Sequence, residues 1–255
     1  MPDIDIDIAE QAGVGADGRP RPTEDHVVVL DNAVVLLDGA TSPSPDLPSG
    51  GWYAGLLTER LAAGLRAAPD ADLAQLLSSA IAEVADEHEL RIGNSPSSTV
   101  AMLRWTDMRV DALVLADSPI VAFSAAGVHV VSDNRIAELR GGGKLRTGAD
   151  VRAQRNASGG FWVAEADPGA AEHAVRASWP RAELETVLLA TDGVAVGVDE
   201  YRILDWPQVL KLARTQGARA VLDAVRAAEL DDPHATRWPR PKRHDDQALA
   251  LIHFR

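Results

Sequence analysis

Apolar and polar residues alternate at the start of the chain, where isoleucines occupy every second position from Ile4 to Ile8. This period of two is typical of a half-buried strand. Two apolar runs follow at residues 27–30 and 34–37, and the Asp-Asn pair between them suits a hairpin turn. The first forty residues are therefore predicted to contain three strands.

The apolar spacing then becomes helical. Leucines fall on one face over residues 51–68 and again over residues 72–90, which predicts two helices packed as a pair. Four apolar runs between residues 98 and 132 predict an antiparallel meander. The remaining pattern predicts helices at about 168–177, 206–215 and 218–230, strands at 186–190 and 248–254, and a loop at 140–160.

Runs of strands interrupted by paired helices, without regular strand-helix alternation, favour an α+β layered fold with mainly antiparallel sheets. The chain has 255 residues and 46% hydrophobic content, which is enough for one large core. No linker separates two halves. Residues 1–255 are therefore expected to form a single domain.

The charge balance restricts the partners. The chain has 25 basic and 38 acidic residues, giving a net charge of -13, which disfavours binding to nucleic acid or to an anionic membrane surface. No apolar run approaches the roughly 20 residues that span a bilayer. Cysteine is absent, so any metal must be bound by oxygen or imidazole. A cytoplasmic protein without nucleic-acid or membrane partners is expected.

Acidic motifs recur where apolar runs begin or end. They read Thr23-Glu24-Asp25, Asp38-Gly39, Thr191-Asp192-Gly193 and His244-Asp245-Asp246. Carboxylates on rigid elements suit hard divalent cations, which prefer oxygen ligands. A single aspartate after a strand is more often a turn former or a helix cap, so the prediction of a metal site depends on the order of all the motifs together.

Together with Ala116-Asp117-Ser118, these motifs resemble the type 2C metal-dependent protein phosphatases. The corresponding stretches of that family look like N-E-D, D-G-x-G, G-D-S, S-D-G and D-[DN]-x-T, in this order. The resemblance extends from about residue 20 to residue 254. It implies a layered α-β-β-α sandwich, with two mainly antiparallel sheets flanked by helix pairs.

The resemblance also implies a centre of two Mn²⁺ or Mg²⁺ ions, which activates a water for attack on a phosphorus atom. Asp38, Asp192 and Asp245 are the expected catalytic residues. By similarity, Asp38 is expected to bridge the two ions, and Asp192 and Asp245 are the other ligands of the first ion. The Gly39 carbonyl, Glu24 and Asp25 belong to the second ion. Asp117 matches the position of a third, weaker ion site.

Several residues depart from the family pattern. Pro20 stands where the family has a phosphate-binding arginine, so Arg19 or Arg21 is expected to take that role. Ala40 replaces a histidine that acts as general acid in some relatives, which leaves a metal-bound water or His26 as the proton donor. Thr23, Ala116 and Ala248 replace the family's asparagine, glycine and threonine.

The main hypothesis is a phosphatase acting on phosphoserine or phosphothreonine in proteins, with small phosphomonoesters as alternative substrates. The alternative is a pseudophosphatase that binds a partner without catalysis. A haloacid-dehalogenase-type mechanism is rejected because Leu36 stands where its nucleophile is required. Residues 140–160 are the expected substrate-contacting flap, and the sequence does not indicate the oligomeric state.

Overall fold

The computed structural model describes residues 4–15, 18–40 and 46–254, which form two five-stranded sheets with helices on their outer faces. The strands are β1 Ile4–Gln11, β2 Asp25–Leu30, β3 Ala33–Asp38, β4 Val100–Trp105, β5 Arg109–Leu115, β6 Ile120–Ser124, β7 Gly127–Val131, β8 Val175–Pro180, β9 Leu184–Ala190 and β10 Gln247–Phe254. The α-helices are α1 Gly50–Ala67, α2 Leu73–Glu87, α3 Arg135–Gly141, α4 Gly148–Gln154, α5 Asp192–Asp199, α6 Trp206–Gln216 and α7 Ala218–Asp231. Short 3₁₀ helices cover Pro168–His173 and Arg181–Glu183.

Both sheets are antiparallel in every pairing between these strands. The first sheet has the order β2-β3-β4-β5-β8, and the second has the order β1-β10-β9-β6-β7. Strand β1 pairs along its whole length with β10, so that Ile4 faces Phe254 in the register. The two ends of the described chain therefore complete one sheet.

Strand β3 shows why the apolar runs are continuous. Val34 and Leu36 pack in the core between the sheets, whereas Val35 and Leu37 pack beneath α1 and α2. Both faces of the strand are thus covered, and no polar alternation is needed. Helices α5, α6 and α7 cover the outer face of the second sheet in the same way. The predicted α-β-β-α sandwich is confirmed.

Three local predictions are wrong. The meander over residues 98–132 is split, because β4 and β5 lie in the first sheet whereas β6 and β7 lie in the second. The helix predicted at 168–177 is a 3₁₀ helix followed by β8, whose burial alternates strictly. The predicted loop at 140–160 contains α4, which begins with a capping box between Thr147 and Asp150. None of the helices in the described ranges has the length and apolar character needed to cross a bilayer.

Candidate metal centre

Acidic residues of both sheets meet at one edge of the sandwich. Asp25 begins β2 and Asp38 ends β3, and the two residues face each other in the register of the first sheet. In the second sheet, Asp192 follows β9 and Asp245 precedes the neighbouring strand β10. The Thr191 hydroxyl donates a hydrogen bond of 2.9 Å to Oδ2 of Asp25, which joins the two sheets at this edge.

Hydroxyl groups of two adjacent residues just before β4 fix the backbone of Asp38. The Asp38 amide donates to Oγ1 of Thr99 at 3.0 Å, and its carbonyl accepts from Oγ of Ser98 at 2.8 Å. Ser118 contacts Thr99 through their hydroxyl oxygens, 2.7 Å apart. The role of these residues was not predicted, although the run Ser97-Ser98-Thr99 before β4 is visible in the sequence.

The glycines beside two of the aspartates are required by close packing. A Cβ at Gly39 would lie 2.3 Å from the Gly51 amide nitrogen at the start of α1. A Cβ at Gly193 would lie 1.9 Å from the carbonyl oxygen of Asp246. Only glycine allows these backbone approaches, so both Asp-Gly pairs have a structural reason in addition to any contact with an ion.

The carboxylates raise one another's pKa. Burial raises the pKa of Asp38 well above its usual range, and the negative charges of Asp25 and Asp192 add to the effect. Burial followed by the charges of Asp245 and Asp117 raises the pKa of Asp192 to about 7, despite a hydrogen bond with Asp38. Burial likewise raises the pKa of Asp25, which the hydrogen bond from Thr191 opposes. Such mutual repulsion is relieved by a cation.

The donor set fits a hard divalent ion in its chemistry. Asp25 is only 1% exposed, and its Oδ1 atom has no hydrogen-bond partner. An unpaired buried carboxylate oxygen is unfavourable unless a cation or a donor reaches it. Within the described ranges, however, no three His, Asp or Glu side chains already form a group that could hold a metal ion. The carboxylates are thus gathered without a complete coordination geometry.

A lysine lies among these carboxylates. Nζ of Lys242 is 2.5 Å from Oδ1 of Asp245, in an ion pair whose side chains are 27% and 32% exposed. Burial lowers the pKa of Lys242, but the charges of Asp245, Asp38 and Asp192 outweigh it and raise the pKa above its usual value. This residue is not among the predicted site residues, because nothing in the local sequence indicates where its side chain lies.

Asp117 lies where the chain crosses between the sheets, after β5. Burial raises its pKa, while Arg140 of α3 acts in the opposite direction and Asp133 and Asp245 raise it further. The preceding residue, Ala116, has a φ of 68° and is fully buried. This left-handed conformation favours glycine, which the related motif carries, so alanine is strained by about 1 kcal/mol here.

A cavity of about 420 Å³ opens beside the acidic cluster, and the described residues lining it include Arg21, Glu24, His26, Trp52 and Lys242. Both arginines expected to bind phosphate are exposed, but Arg21 lines the cavity and Arg19 is not part of this lining. Nε2 of His26 donates to the Gly51 carbonyl at 2.8 Å, so this ring nitrogen is already engaged.

A buried network ties α7 to the last acidic motif. Arg226 donates to the Asp245 carbonyl at 2.8 Å, and its Nε lies 3.2 Å from Oε2 of Glu229. The same Glu229 oxygen is 2.9 Å from Nδ1 of His244, whose carbonyl accepts from Val14. The network fixes the backbone around Asp245. The network was not predicted, because its contacts join segments that no local sequence pattern relates.

The fold and the site together define a class of protein, in which an α-β-β-α sandwich gathers carboxylates where its two sheets meet. The chain matches the Protein phosphatase 2C family over residues 19–230, and it belongs to that family. The match covers most of the chain but stops before Asp245, whose assignment rests on the order of the motifs. No curated protein matches the chain significantly in sequence.

Solved structures of bacterial phosphatases share the fold. PppA, a regulatory component of T6SS in Pseudomonas aeruginosa, aligns with a TM-score of 0.63 and 15% identity over 99% of this chain and 98% of its own. Stp1 from Staphylococcus aureus gives 0.63 and 14% identity, covering 100% and 96%. The PstP catalytic domain, solved with two manganese ions, gives 0.59 and 11% identity, covering 98% and 97%.

The family predicted from the sequence is confirmed, and so is the class of enzyme, a metal-dependent protein phosphatase. Membership implies divalent-metal dependence and phosphoprotein substrates. The roles assigned to individual residues, including the expected catalytic and metal-binding aspartates, stay predictions.

Proposed function

We propose that the protein hydrolyses phosphoserine or phosphothreonine in proteins, using two Mn²⁺ or Mg²⁺ ions. The observation that carries the proposal is the meeting of Asp25, Asp38 and Asp192 at one edge of the sandwich, where a buried Asp25 oxygen has no partner. Small phosphomonoesters are the alternative substrates. We further propose that residues 1–255 act as one domain in the cytoplasm, which suits a chain without cysteine.

The two ions, when bound, supply a metal-activated water for direct attack on phosphorus. In this proposal Asp38, Asp192 and Asp245 would hold the first ion, Glu24, Asp25 and the Gly39 carbonyl would hold the second together with Asp38, and Asp117 would support a third. Arg21 binds the phosphate oxygens from the cavity wall. Because Nε2 of His26 already donates to Gly51, water is favoured over His26 as the proton donor.

The direct test is release of phosphate from a phosphoserine peptide and from an aryl phosphate in saturating Mn²⁺. Asp38→Asn should abolish both activities and weaken Mn²⁺ binding, because the proposed bridging ligand loses its charge. Asp31→Asn is the matched control, since Asp31 is an exposed turn residue at the other end of the same β2-β3 hairpin. A folded wild-type protein without activity would refute hydrolysis as the function.

A catalytically silent binding module is the second candidate. It is favoured by the ion pair between Lys242 and Asp245 and by the lack of a complete metal-binding group in the described part of the chain. Pro20 in place of the family arginine points in the same direction. A crystal soaked in Mn²⁺ discriminates between the candidates, since two anomalous peaks beside Asp38 support catalysis, and none supports the module.

The flap has a charge opposite to that of the whole chain. On residues 140–160, four basic side chains are exposed and the one acidic side chain is partly buried, whereas the protein has a net charge of -13. The basic residues are Arg140, Lys144, Arg146 and Arg152, and the acidic one is Asp150. We therefore propose that the flap contacts acidic segments around the phosphorylated residue of a substrate.

Charge reversal on the flap tests this substrate preference. The double variant Arg146→Glu and Arg152→Glu should raise the KM for an acidic phosphopeptide about tenfold, since each surface charge contributes up to about 1 kcal/mol. Hydrolysis of an aryl phosphate should be unchanged. Lys211→Glu, on the exposed side of α6, is the charge-matched control. Equal loss of both activities would contradict a role in substrate preference.

A further inference from the structure

Lys242 provides a positive charge at the place where the proposed function requires a metal ion. Its Nζ atom is paired with Oδ1 of Asp245 at 2.5 Å, and Asp245 is the proposed ligand of the first ion. The charges of Asp38 and Asp192 also act on this ammonium group. Three of the proposed first-ion ligands therefore interact with one lysine.

The backbone on both sides of Lys242 is anchored. Before it, Arg240 binds both the side chain and the carbonyl of Asp232, at 3.2 and 2.6 Å, and its Nε donates to the Arg243 carbonyl at 3.1 Å. After it, Arg226 binds the Asp245 carbonyl. The lysine thus extends from a fixed loop, which lowers the entropic loss of forming its ion pair.

We propose that Lys242 is a built-in counter-ion that competes with the first divalent metal ion for Asp245. The proposal rests on the proposed function, since it assigns Asp245 to that ion. Without metal, the ammonium offsets part of the repulsion among the carboxylates. Metal binding displaces it, and the cavity that Lys242 lines with Arg21 and Glu24 gives the released side chain space beside the acidic cluster.

Competition of this kind weakens metal binding by the free energy of the broken ion pair. For a largely buried ion pair inside an acidic cluster, the expected effect on the dissociation constant is roughly tenfold. The direction in which metal affinity changes when Lys242 is replaced separates this role from a structural one. A lysine that only held the loop in place would, when replaced, loosen Asp245 and weaken metal binding, whereas a competitor strengthens it when removed.

Isothermal titration of Mn²⁺ into chelator-treated protein, at fixed ionic strength, tests the proposal. Lys242→Met keeps the aliphatic part of the side chain and should bind Mn²⁺ about tenfold more tightly than the wild type. Lys242→Arg keeps the charge and should remain close to the wild type. Lys211→Met, on the exposed side of α6, controls for the loss of one positive charge elsewhere.

A thermal melt of the metal-free variants gives a second measurement. Lys242→Met should unfold at a lower temperature without metal, because the carboxylates lose their counter-ion, and should gain more stability from Mn²⁺ than the wild type does. Lys242→Gln serves as a second neutral variant if the methionine variant does not fold. Unchanged or weaker Mn²⁺ binding in the folded neutral variant overturns the proposal.

The outcome also separates this inference from the proposed function. Equal Mn²⁺ affinity in the wild type and Lys242→Met overturns the competition while leaving the metal centre in place. Binding that appears only after the lysine is replaced supports the competition in its strongest form. Absence of Mn²⁺ binding in both proteins overturns the competition together with the two-ion mechanism.

Discussion

Replacing Thr191 by valine should destabilise the protein at the junction of its two sheets. The Thr191 hydroxyl donates to Oδ2 of Asp25 and accepts from the Ala248 amide, each at 2.9 Å. Thr191 is fully buried, and Asp25 is 1% exposed. Valine has a similar shape but neither hydrogen-bonding capacity, so both partners would be left unsatisfied.

The magnitude follows from these two contacts. A hydrogen bond to a charged group contributes about 1.5–3 kcal/mol, and a buried amide without a partner costs about 1–3 kcal/mol. Because Oδ1 of Asp25 already has no partner, the carboxylate would keep no hydrogen bond through either oxygen. Loss of the donor further raises the pKa of Asp25, and protonation offsets part of the loss. The expected decrease in the free energy of unfolding is about 3 kcal/mol.

Urea unfolding in the presence of a chelator measures this decrease without a contribution from metal. Thr186→Val is the matched control, since Thr186 is a fully buried threonine on β9 whose hydroxyl contacts the part-exposed side chains of His253 and Arg214. Water can replace those contacts, so the control should lose only about 1 kcal/mol. Equal losses in the two variants, or a loss below about 0.5 kcal/mol in Thr191→Val, would refute the reasoning.

Two further predictions concern the backbone of the site, and urea unfolding measures both. Gly193→Ala should lower the free energy of unfolding by more than about 3 kcal/mol, because its Cβ would lie 1.9 Å from a carbonyl oxygen. Gly141→Ala is the control and should be neutral, since its Cβ would meet no atom within 4 Å. Similar losses of stability in the two variants would show that the clash is not responsible. Arg226→Met should cost about 3 kcal/mol, because the buried Glu229 loses its paired cation and keeps only its contacts with His244 and Tyr201. Adding Glu229→Gln should recover part of that loss, and the absence of any recovery would show that the pair is not responsible.

The sequence predicted those parts of the fold that depend on local periodicity. The two helix pairs, the β2-β3 hairpin and the final strand follow from apolar spacing alone. Such spacing does not say to which sheet a strand belongs, so residues 116–119, where the chain crosses from β5 to β6, have the same pattern as a turn within one meander. Strand β8 was missed because Pro168 and several alanines suggested a continuing helix.

The candidate site depends on contacts that a sequence shows less directly. The structure brings together the carboxylates of Asp25, Asp38 and Asp192, which belong to the ordered acidic motifs, and their binding of metal stays a prediction. The polar residues that support them were not predicted. Thr191 binds Asp25 across 166 positions of the chain, and Lys242 reaches Asp245 through a loop with no regular pattern. Such contacts depend on tertiary neighbours, which one sequence does not specify.

The charge of the cluster links stability to function in this protein. Buried aspartates that raise one another's pKa destabilise the folded chain at neutral pH, where their unfolded counterparts are ionised. A divalent ion bound only by the folded state reverses this loss by mass action. Lys242 reverses part of it with no ion present, because its ammonium is already paired with Asp245. The same lysine would therefore stabilise the metal-free fold and reduce the affinity for metal, so the two properties should change in opposite directions when it is replaced.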